Sequence, residues 1–343
     1  MRLARLLGHP VALATGSSLA CAALLLAAEW SVRRAHPERL RRSAARSAVV
    51  HSADYGWQLR ANWTQRDGAG FTTDGARCRR QPPPAAEGAP RVLVLGDSIT
   101  FGTGVADEET FAHLLGRRGL TVANFAVPGW GTDQSLLRFE REGGLFRPSV
   151  VALNVCLAND LADNMLPSYL YDPHWPKPYF TAEDGELRLH DAHVHPSAAV
   201  RAWRSLWERS HLLNLLAAPA GGPAEESDDA HWLGRRKRAV KDEESAVRLA
   251  VLQVRRLRAR ADGAGARFVV LLHPDRAAFE ERSDLSGLLG EALRADGIET
   301  IDLAERYRQS AWVFSDLTLD GLGHLSPRGH QVVADVLAAA IQR

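Results

Sequence analysis

The chemistry in this chain starts at Ser98. It closes the stretch Val92-Leu93-Val94-Leu95-Gly96-Asp97-Ser98, and Ile99-Thr100 follow. The branched apolar residues read as a short buried strand that Gly96 breaks. Gly102 and Gly104 loosen the next turn, and a helical pattern with Phe111, Leu114 and Leu115 on one face begins near Asp107. A serine at the C-terminal end of a parallel strand, just before a helix, lies where open α/β sheets bind ligands. The N–H groups of such a turn can face a developing anion. A serine hydroxyl is a poor nucleophile until a neighbouring base takes its proton. His324 is the candidate base, since it follows the last strand and precedes the final helix, in a loop at the sheet edge. The competing reading of Ser98 is an ordinary helix-capping serine.

Gly96-Asp97-Ser98-Ile99 after a strand resembles the first block of the SGNH (GDSL-like) hydrolases. Candidates for the family's other blocks follow in order: Asn124-Phe125-Ala126-Val127-Pro128-Gly129, Leu157-Ala158-Asn159-Asp160, and Asp320-Gly321-Leu322-Gly323-His324-Leu325-Ser326. The resemblance runs from about residue 91 to the C-terminus. It implies a flavodoxin-like three-layer α/β/α sandwich with a five-stranded parallel sheet. It also implies a serine esterase, acting through an acyl-enzyme, that removes acetyl or other short acyl groups from a carbohydrate or lipid. An O-acyltransferase modifying an envelope polysaccharide and a non-catalytic carbohydrate-binding module on the same fold are the rival readings.

The resemblance maps the nucleophile onto Ser98 and the base onto His324, because Leu325-Ser326-Pro327-Arg328-Gly329-His330 matches the stretch after the family histidine. It maps the oxyanion donors onto the Ser98 backbone, Gly129 and the Asn159 side chain. Gly131 competes with Gly129, and Leu157 stands where the family's third block opens with glycine. The family's orienting Asp usually lies three residues before the His, where this chain has Gly321. Asp320 stands four before and Asp316 eight before, and Asp320 is the expected partner. Asp97 and Asp160 are expected to shape their loops, and His330 to pack within the last helix or at its surface. His190, His193 and His195 have a spacing that can bind metal, but no acid or cysteine completes a site. No cofactor and no metal are expected.

The elements that would position these residues recur in alternation. Strand candidates are Arg91–Leu95, Val122–Ala126, Ser149–Val155, Arg267–Leu272 and Glu299–Leu303. Helical patterns lie near Asp107–Arg118, Asp133–Glu142, Glu243–Ala261, Leu285–Ala295 and Pro327–Ile341. Such alternation argues for a parallel sheet covered by helices on both faces. Ser326 and Pro327 signal the start of the last helix, and Gly263 suits the end of the long one. From Asn164 to Lys241 the pattern breaks down. Prolines 167, 173, 176 and 178 alternate with Tyr169, Tyr171, Trp175, Tyr179 and Phe180, predicting an irregular aromatic loop that is either pocket wall or satellite core. A helix is expected at Ala198–Leu216, and Pro219 to Ala230 is composed like a disordered segment. Upstream, Tyr55–Arg60 and Phe71–Arg77 read as short strands of an edge extension, and Gln81-Pro82-Pro83-Pro84 as a stiff linker at a domain boundary. Similar segments precede the first block in a membrane-anchored subgroup of the SGNH family.

The 343 residues suffice for one large domain with extras, and a net charge of +1 gives no global pull towards nucleic acid. Lys177, Lys237 and Lys241 are the only lysines among 42 basic residues. Leu6 to Ala28 contains no Lys, Arg, Asp or Glu, so residues 1–32 are expected to form an uncleaved N-terminal membrane anchor, with a signal segment as the rival. Residues 33–90 then form a basic juxtamembrane segment, the extension and the linker, and 91–343 the catalytic domain with an insertion at about 165–240. The arginines at 33, 34, 39, 41, 42 and 46 favour a cytoplasmic catalytic domain. The family resemblance favours an extracytoplasmic one. Cys78 and Cys156 could pair, but Cys156 sits in a predicted buried strand, where a free thiol is expected.

Overall fold

A computed structural model describes residues 3–37, 48–66, 68–170, 172–216, 240, 242–280, 285–309 and 312–343. The chain divides into two compact units, Met1–Ser47 with Ser197–Pro223, and Ala48–Pro196 with Ala224–Arg343.

The second unit is built on a five-stranded parallel sheet. Its strands are β1 (Arg91–Leu95), β2 (Thr121–Asn124), β3 (Val150–Cys156), β4 (Arg267–His273) and β5 (Glu299–Asp302). Their spatial order is β2-β1-β3-β4-β5, with every pair parallel. Each predicted strand is present, with ends moved by a residue or two. β2 stops at Asn124 because that side chain turns back on the backbone: its Oδ1 accepts the Ala126 N–H at 3.1 Å and its Nδ2 donates to Thr100 O at 2.9 Å.

Strand periodicity divides the core in two. Leu93, Leu95, Val151, Leu153, Val155, Val270 and Leu272 face a layer holding α2 (Thr132–Arg138), α3 (Glu243–Gly263) and α4 (Leu285–Ala295). Val92, Val94, Val150, Ala152, Val269 and Leu271 face α1 (Phe111–Arg117), α5 (Leu303–Gln309) and α6 (Pro327–Ile341). Every residue of β3 is buried, as a central strand covered on both faces requires.

Several elements differ from expectation. The helix near Asp107 is split. A 3₁₀ turn at Asp107–Glu109 precedes Thr110, whose extended backbone and side chain cap α1. The helix expected at Ala198–Leu216 breaks at Ser210 into Ala198–Arg209 and His211–Leu216. The aromatic stretch is not irregular. Tyr179–Glu183 and Glu186–His190 form an antiparallel hairpin, and Ser168–Tyr169 pairs with Asp172–Pro176. The hairpin turn is Asp184-Gly185, both with positive φ (52° and 82°), an Asp-Gly signal that the proline-rich surroundings obscured. Phe180 is in the core, and Tyr169 and Trp175 pack against it. Cys78 and Cys156 are both free and buried. Tyr171, the side chain of Pro173, and the segments 38–47 and 219–230 lie outside the described residues.

Residues 48–90 belong to the same compact unit as the sheet. Val49–Ser52 and Gly56–Leu59 form a hairpin, and Arg79 bridges to Asn124 on the edge strand β2. The Arg79 side chain is wholly buried. It donates to Asp107 Oδ1 at 2.7 Å, to Phe101 O at 2.8 Å, and to Gly102 O and Val105 O. It thus holds the loop that follows Ser98.

In the first unit the N-terminal helix spans Leu3–Ala35. The Glu29 carboxylate accepts Ser210 Oγ at 2.7 Å and the backbone N–H groups of His211 and Leu212 at 2.9 Å each, closing the start of the His211–Leu216 helix. Burial works against the Glu29 carboxylate, but these bonds and Arg33 outweigh it and bring its pKa down to about 2. Among the described residues no helix is long and apolar enough to cross a membrane. The side chains of residues 3–17, part of the expected anchor, lie outside the described residues.

Removing the Arg79 guanidinium would strand three buried carbonyls and a carboxylate. Arg79→Met should therefore lower unfolding free energy by about 3–5 kcal/mol, read as a drop in the urea midpoint. A loss below about 1 kcal/mol, the scale of a surface pair, would contradict this bracing role.

Candidate active site

Ser98 opens a one-turn helix, Ser98–Phe101, directly after β1. Asp97 caps it, its Oδ1 accepting the Ile99 N–H at 2.9 Å. The Ser98 N–H is at the first helical position, where no intrahelical acceptor exists. The turn needs glycine at 96, because a Cβ there would lie 2.3 Å from Thr100 Oγ1 and 2.9 Å from Asn154 O.

His324 sits in the turn before α6. Asp320 Oδ1 accepts the backbone N–H groups of Leu322, Gly323 and His324 at 3.0, 3.1 and 3.1 Å. Gly323 takes φ 95°, and a Cβ there would come within 3.0 Å of Pro274 O. This tight turn absorbs the extra residue between acid and base. Asp320 Oδ2 lies 2.6 Å from His324 Nδ1, and His324 Nε2 lies 2.8 Å from Ser98 Oγ. Asp316 is not part of this chain of bonds. Its carboxylate accepts the Val313 N–H at 3.3 Å, and its carbonyl accepts Ser326 Oγ at 2.9 Å.

Gly129 and Asn159 follow β2 and β3, the strands flanking β1, so both lie at the same sheet edge as Ser98. Gly129 has φ 79°, and a Cβ there would meet Tyr169 Cε2 at 2.5 Å. Gly131, the competing glycine, instead caps α2 with extended backbone. Asn159 precedes the short helix Asp160–Asn164, and its Nδ2 donates to Asp163 Oδ2 at 2.8 Å. Ser98, Gly129, Asn159 and His324 are all half-buried, and Asp320 reaches the surface.

The remaining candidates are engaged elsewhere. Asp160 Oδ2 accepts the Cys156 N–H at 3.1 Å. His330 is fully buried, with Nδ1 accepting the Phe111 N–H at 3.2 Å. His190 stacks on Tyr179 and bonds Thr181, His193 lies by Asp54, and His195 lies near His51. No cluster of three or more His, Cys, Asp or Glu side chains among the described residues could hold a metal. Sequence reasoning missed Trp57, Arg79, Asp163 and Lys177. Trp57 Nε1 donates to Pro128 O at 3.0 Å and its carbonyl accepts Trp130 Nε1 at 3.0 Å, fixing the turn that carries Gly129. The alternation of Tyr55-Gly56-Trp57 marks a strand but does not reveal what it braces.

The family model of GDSL-like lipases and acylhydrolases matches residues 94–332. The chain belongs to this family. It is an ester-bond hydrolase. No curated protein matches the chain. Its fold is similar to a GDSL-like lipase from Bacteroides thetaiotaomicron at 13% identity, covering 76% of this chain and 91% of that one, with a TM-score of 0.40. It is also similar to an acetylxylan esterase from Geobacillus stearothermophilus at 11% identity, covering 74% and 94%, with a TM-score of 0.39. A psychrotrophic esterase from Pseudoalteromonas sp. aligns at 11% identity over 74% and 96%, with a TM-score of 0.39.

Charge in this acylhydrolase is arranged around the imidazole. Burial pulls the His324 pKa down, but the hydrogen bond and charge of Asp320 and the charge of Asp97 outweigh it, so the net shift is upward. Burial pushes the Asp320 carboxyl up, yet His324 and the turn N–H groups hold it below the ordinary carboxylate range. Behind the turn, His273 accepts no charge at neutral pH. Burial brings its pKa down to about 4, and its Nε2 sits 3.0 Å from Gly323 O.

A base must be neutral to take a proton, so with His324 as the proposed base its raised pKa is expected to move the onset of activity to higher pH. The acid limb of kcat/KM should lie above the ordinary histidine value of 6.5. Asp320→Asn should move that limb down and cut kcat by about two to four orders of magnitude, with Asp316→Asn leaving both unchanged. Equal small losses in the two variants would mean that Ser98 and His324 act without a carboxylate.

Proposed function

We propose that this acylhydrolase is a serine esterase that removes an acetyl or other short acyl group from a carbohydrate or lipid through an acyl-enzyme. The observation carrying the reading is the imidazole of His324, suspended between Asp320 Oδ2 and Ser98 Oγ. His324 takes the Ser98 proton as Oγ attacks the ester carbonyl. The oxyanion forms against the N–H groups of Ser98 and Gly129 and the amide of Asn159. As the tetrahedral centre collapses, the C–O bond to the alcohol breaks and His324 returns the proton to the leaving oxygen. Water, deprotonated by the same imidazole, then releases the acid and restores Ser98. Asp320 holds the ring with Nε2 towards serine and balances the imidazolium charge. The Tyr169 ring lying against Gly129 supports a short acyl group, because it takes up space beside the carbonyl's position.

Attachment to a membrane is the second part of the proposal. The charge-free run Leu6–Ala28 supports it, as do Leu19, Leu24, Leu25, Leu26 and Trp30, which are exposed along the N-terminal helix.

A fluorophosphonate probe should label the wild type and leave Ser98→Ala unlabelled, and p-nitrophenyl acetate should give a burst of one nitrophenolate per active site. Labelling of both proteins alike would exclude the serine mechanism. In cell fractionation the full chain should stay in the membrane pellet after a carbonate wash. Recovery in the supernatant would remove the anchor.

A further inference from the structure

Among the aspartates buried behind the sheet edge that carries the site, Asp97, Asp133, Asp160 and Asp163 lie close enough to shift one another's charge. Among the described residues, the cation that pairs with one of them is Lys177, which arrives on the inserted segment between the two hairpins. In a chain that uses arginine almost throughout, one of its three lysines is fully enclosed. Its Nζ forms an ion pair with Asp133, and both side chains are 0% exposed. Its backbone N–H donates to Pro167 O at 2.9 Å, fixing the loop that delivers it. The cluster is continuous. The Asp133 N–H donates to Asn164 Oδ1 at 3.2 Å, and a Cβ on Gly131 would touch Asn164, Asp133 and Asp163 together.

The cluster ends on Asn159. Its Nδ2 makes a 2.8 Å bond to Asp163 Oδ2 and a 3.4 Å contact to Asp160 Oδ1. The short bond settles which way the amide faces and occupies one N–H. The other N–H is shared between the long Asp160 contact and the Asp97 carboxylate, which Asn159 also bonds, and an oxyanion would have to compete with both.

We propose that Lys177 is a positioning residue for the ester chemistry, acting through Asp133 and Asp163 to fix the Asn159 amide with its second N–H towards the oxyanion. This rests on the reading of Asn159 as an oxyanion donor. The physical reason is charge. An uncompensated carboxylate pair behind the amide would repel the oxyanion that the amide has to stabilise, and buried carboxylates without a cation take up protons instead. Burial already pushes the Asp163 pKa up to about 7, against the lowering pull of Asn159 and Lys177, with Asp133 and Asp97 adding to the rise. Asp160, beside the same amide, is pushed well above the carboxylate range by burial and by Asp97 and Asp163. Losing Lys177 would raise Asp163 further and leave it protonated at neutral pH, with a weaker grip on Asn159.

The test is a double-mutant cycle on p-nitrophenyl acetate with Lys177→Met, Asn159→Ala and their combination. Lys177→Met should lower kcat about ten- to a hundred-fold at pH 7 with KM little changed, and shift the acid limb to higher pH. The double variant should be no slower than Asn159→Ala alone. Multiplicative losses, or an unchanged kcat and pH profile in Lys177→Met, would overturn the proposal. An Asn159→Ala variant with full kcat would instead remove the oxyanion assignment on which it rests. Should Lys177→Met fail to fold by near-ultraviolet circular dichroism, Asp163→Asn takes its place in the cycle. It keeps the shape and removes the charge, and full activity in that variant likewise overturns the proposal.

Discussion

One carboxylate organises the whole site. Asp320 uses one oxygen to gather the three N–H groups of its own turn and the other to hold the His324 ring. Without the first set of bonds the turn would not close, and the imidazole would not meet Ser98 across 226 residues of chain. The arrangement brings a carboxylate four residues ahead of the histidine to its ring, where the family's usual spacing is three. The cost is a backbone that only glycine accepts readily at 323, where φ is 95°.

The sheet supplies the other half of the geometry. Because β2, β1 and β3 are adjacent and parallel, the residues after their C-terminal ends converge without long loops. Segments from outside the sheet then stiffen each turn. Arg79 holds the loop after Ser98, Trp57 the turn at Gly129, and Lys177 pairs with Asp133 in the first turn of α2. The proposed oxyanion chemistry would gain from such bracing, since a donor that moves has to be reorganised during the reaction.

Much of this was legible beforehand for a physical reason. β1, β3 and β4 are mostly apolar runs buried on both faces, and such runs leave little choice of structure. Ser326-Pro327 marks the start of α6 by capping chemistry alone. The approach of Asp320 to His324 was expected from spacing and glycine content, while the turn that achieves it depends on three backbone bonds that no spacing encodes. Arg79 and Lys177 were illegible for a different reason. A charged residue in a loop is a surface residue until its tertiary partners are known, and those partners lie 28 and 44 positions away. The hairpin at Tyr179–His190 carried its own signal in Asp184-Gly185, which the surrounding prolines masked.

The proposed chemistry depends on where the oxyanion sits. A structure of the protein trapped by a monoethyl phosphonate would show it directly, since phosphorus bound to Ser98 Oγ mimics the tetrahedral centre. A phosphonyl oxygen should lie within hydrogen-bond distance of Ser98 N, Gly129 N and Asn159 Nδ2, with His324 Nε2 near the ester oxygen. A phosphonate on Ser98 whose oxygen points to solvent, with Asn159 still turned wholly towards its aspartates, would contradict it.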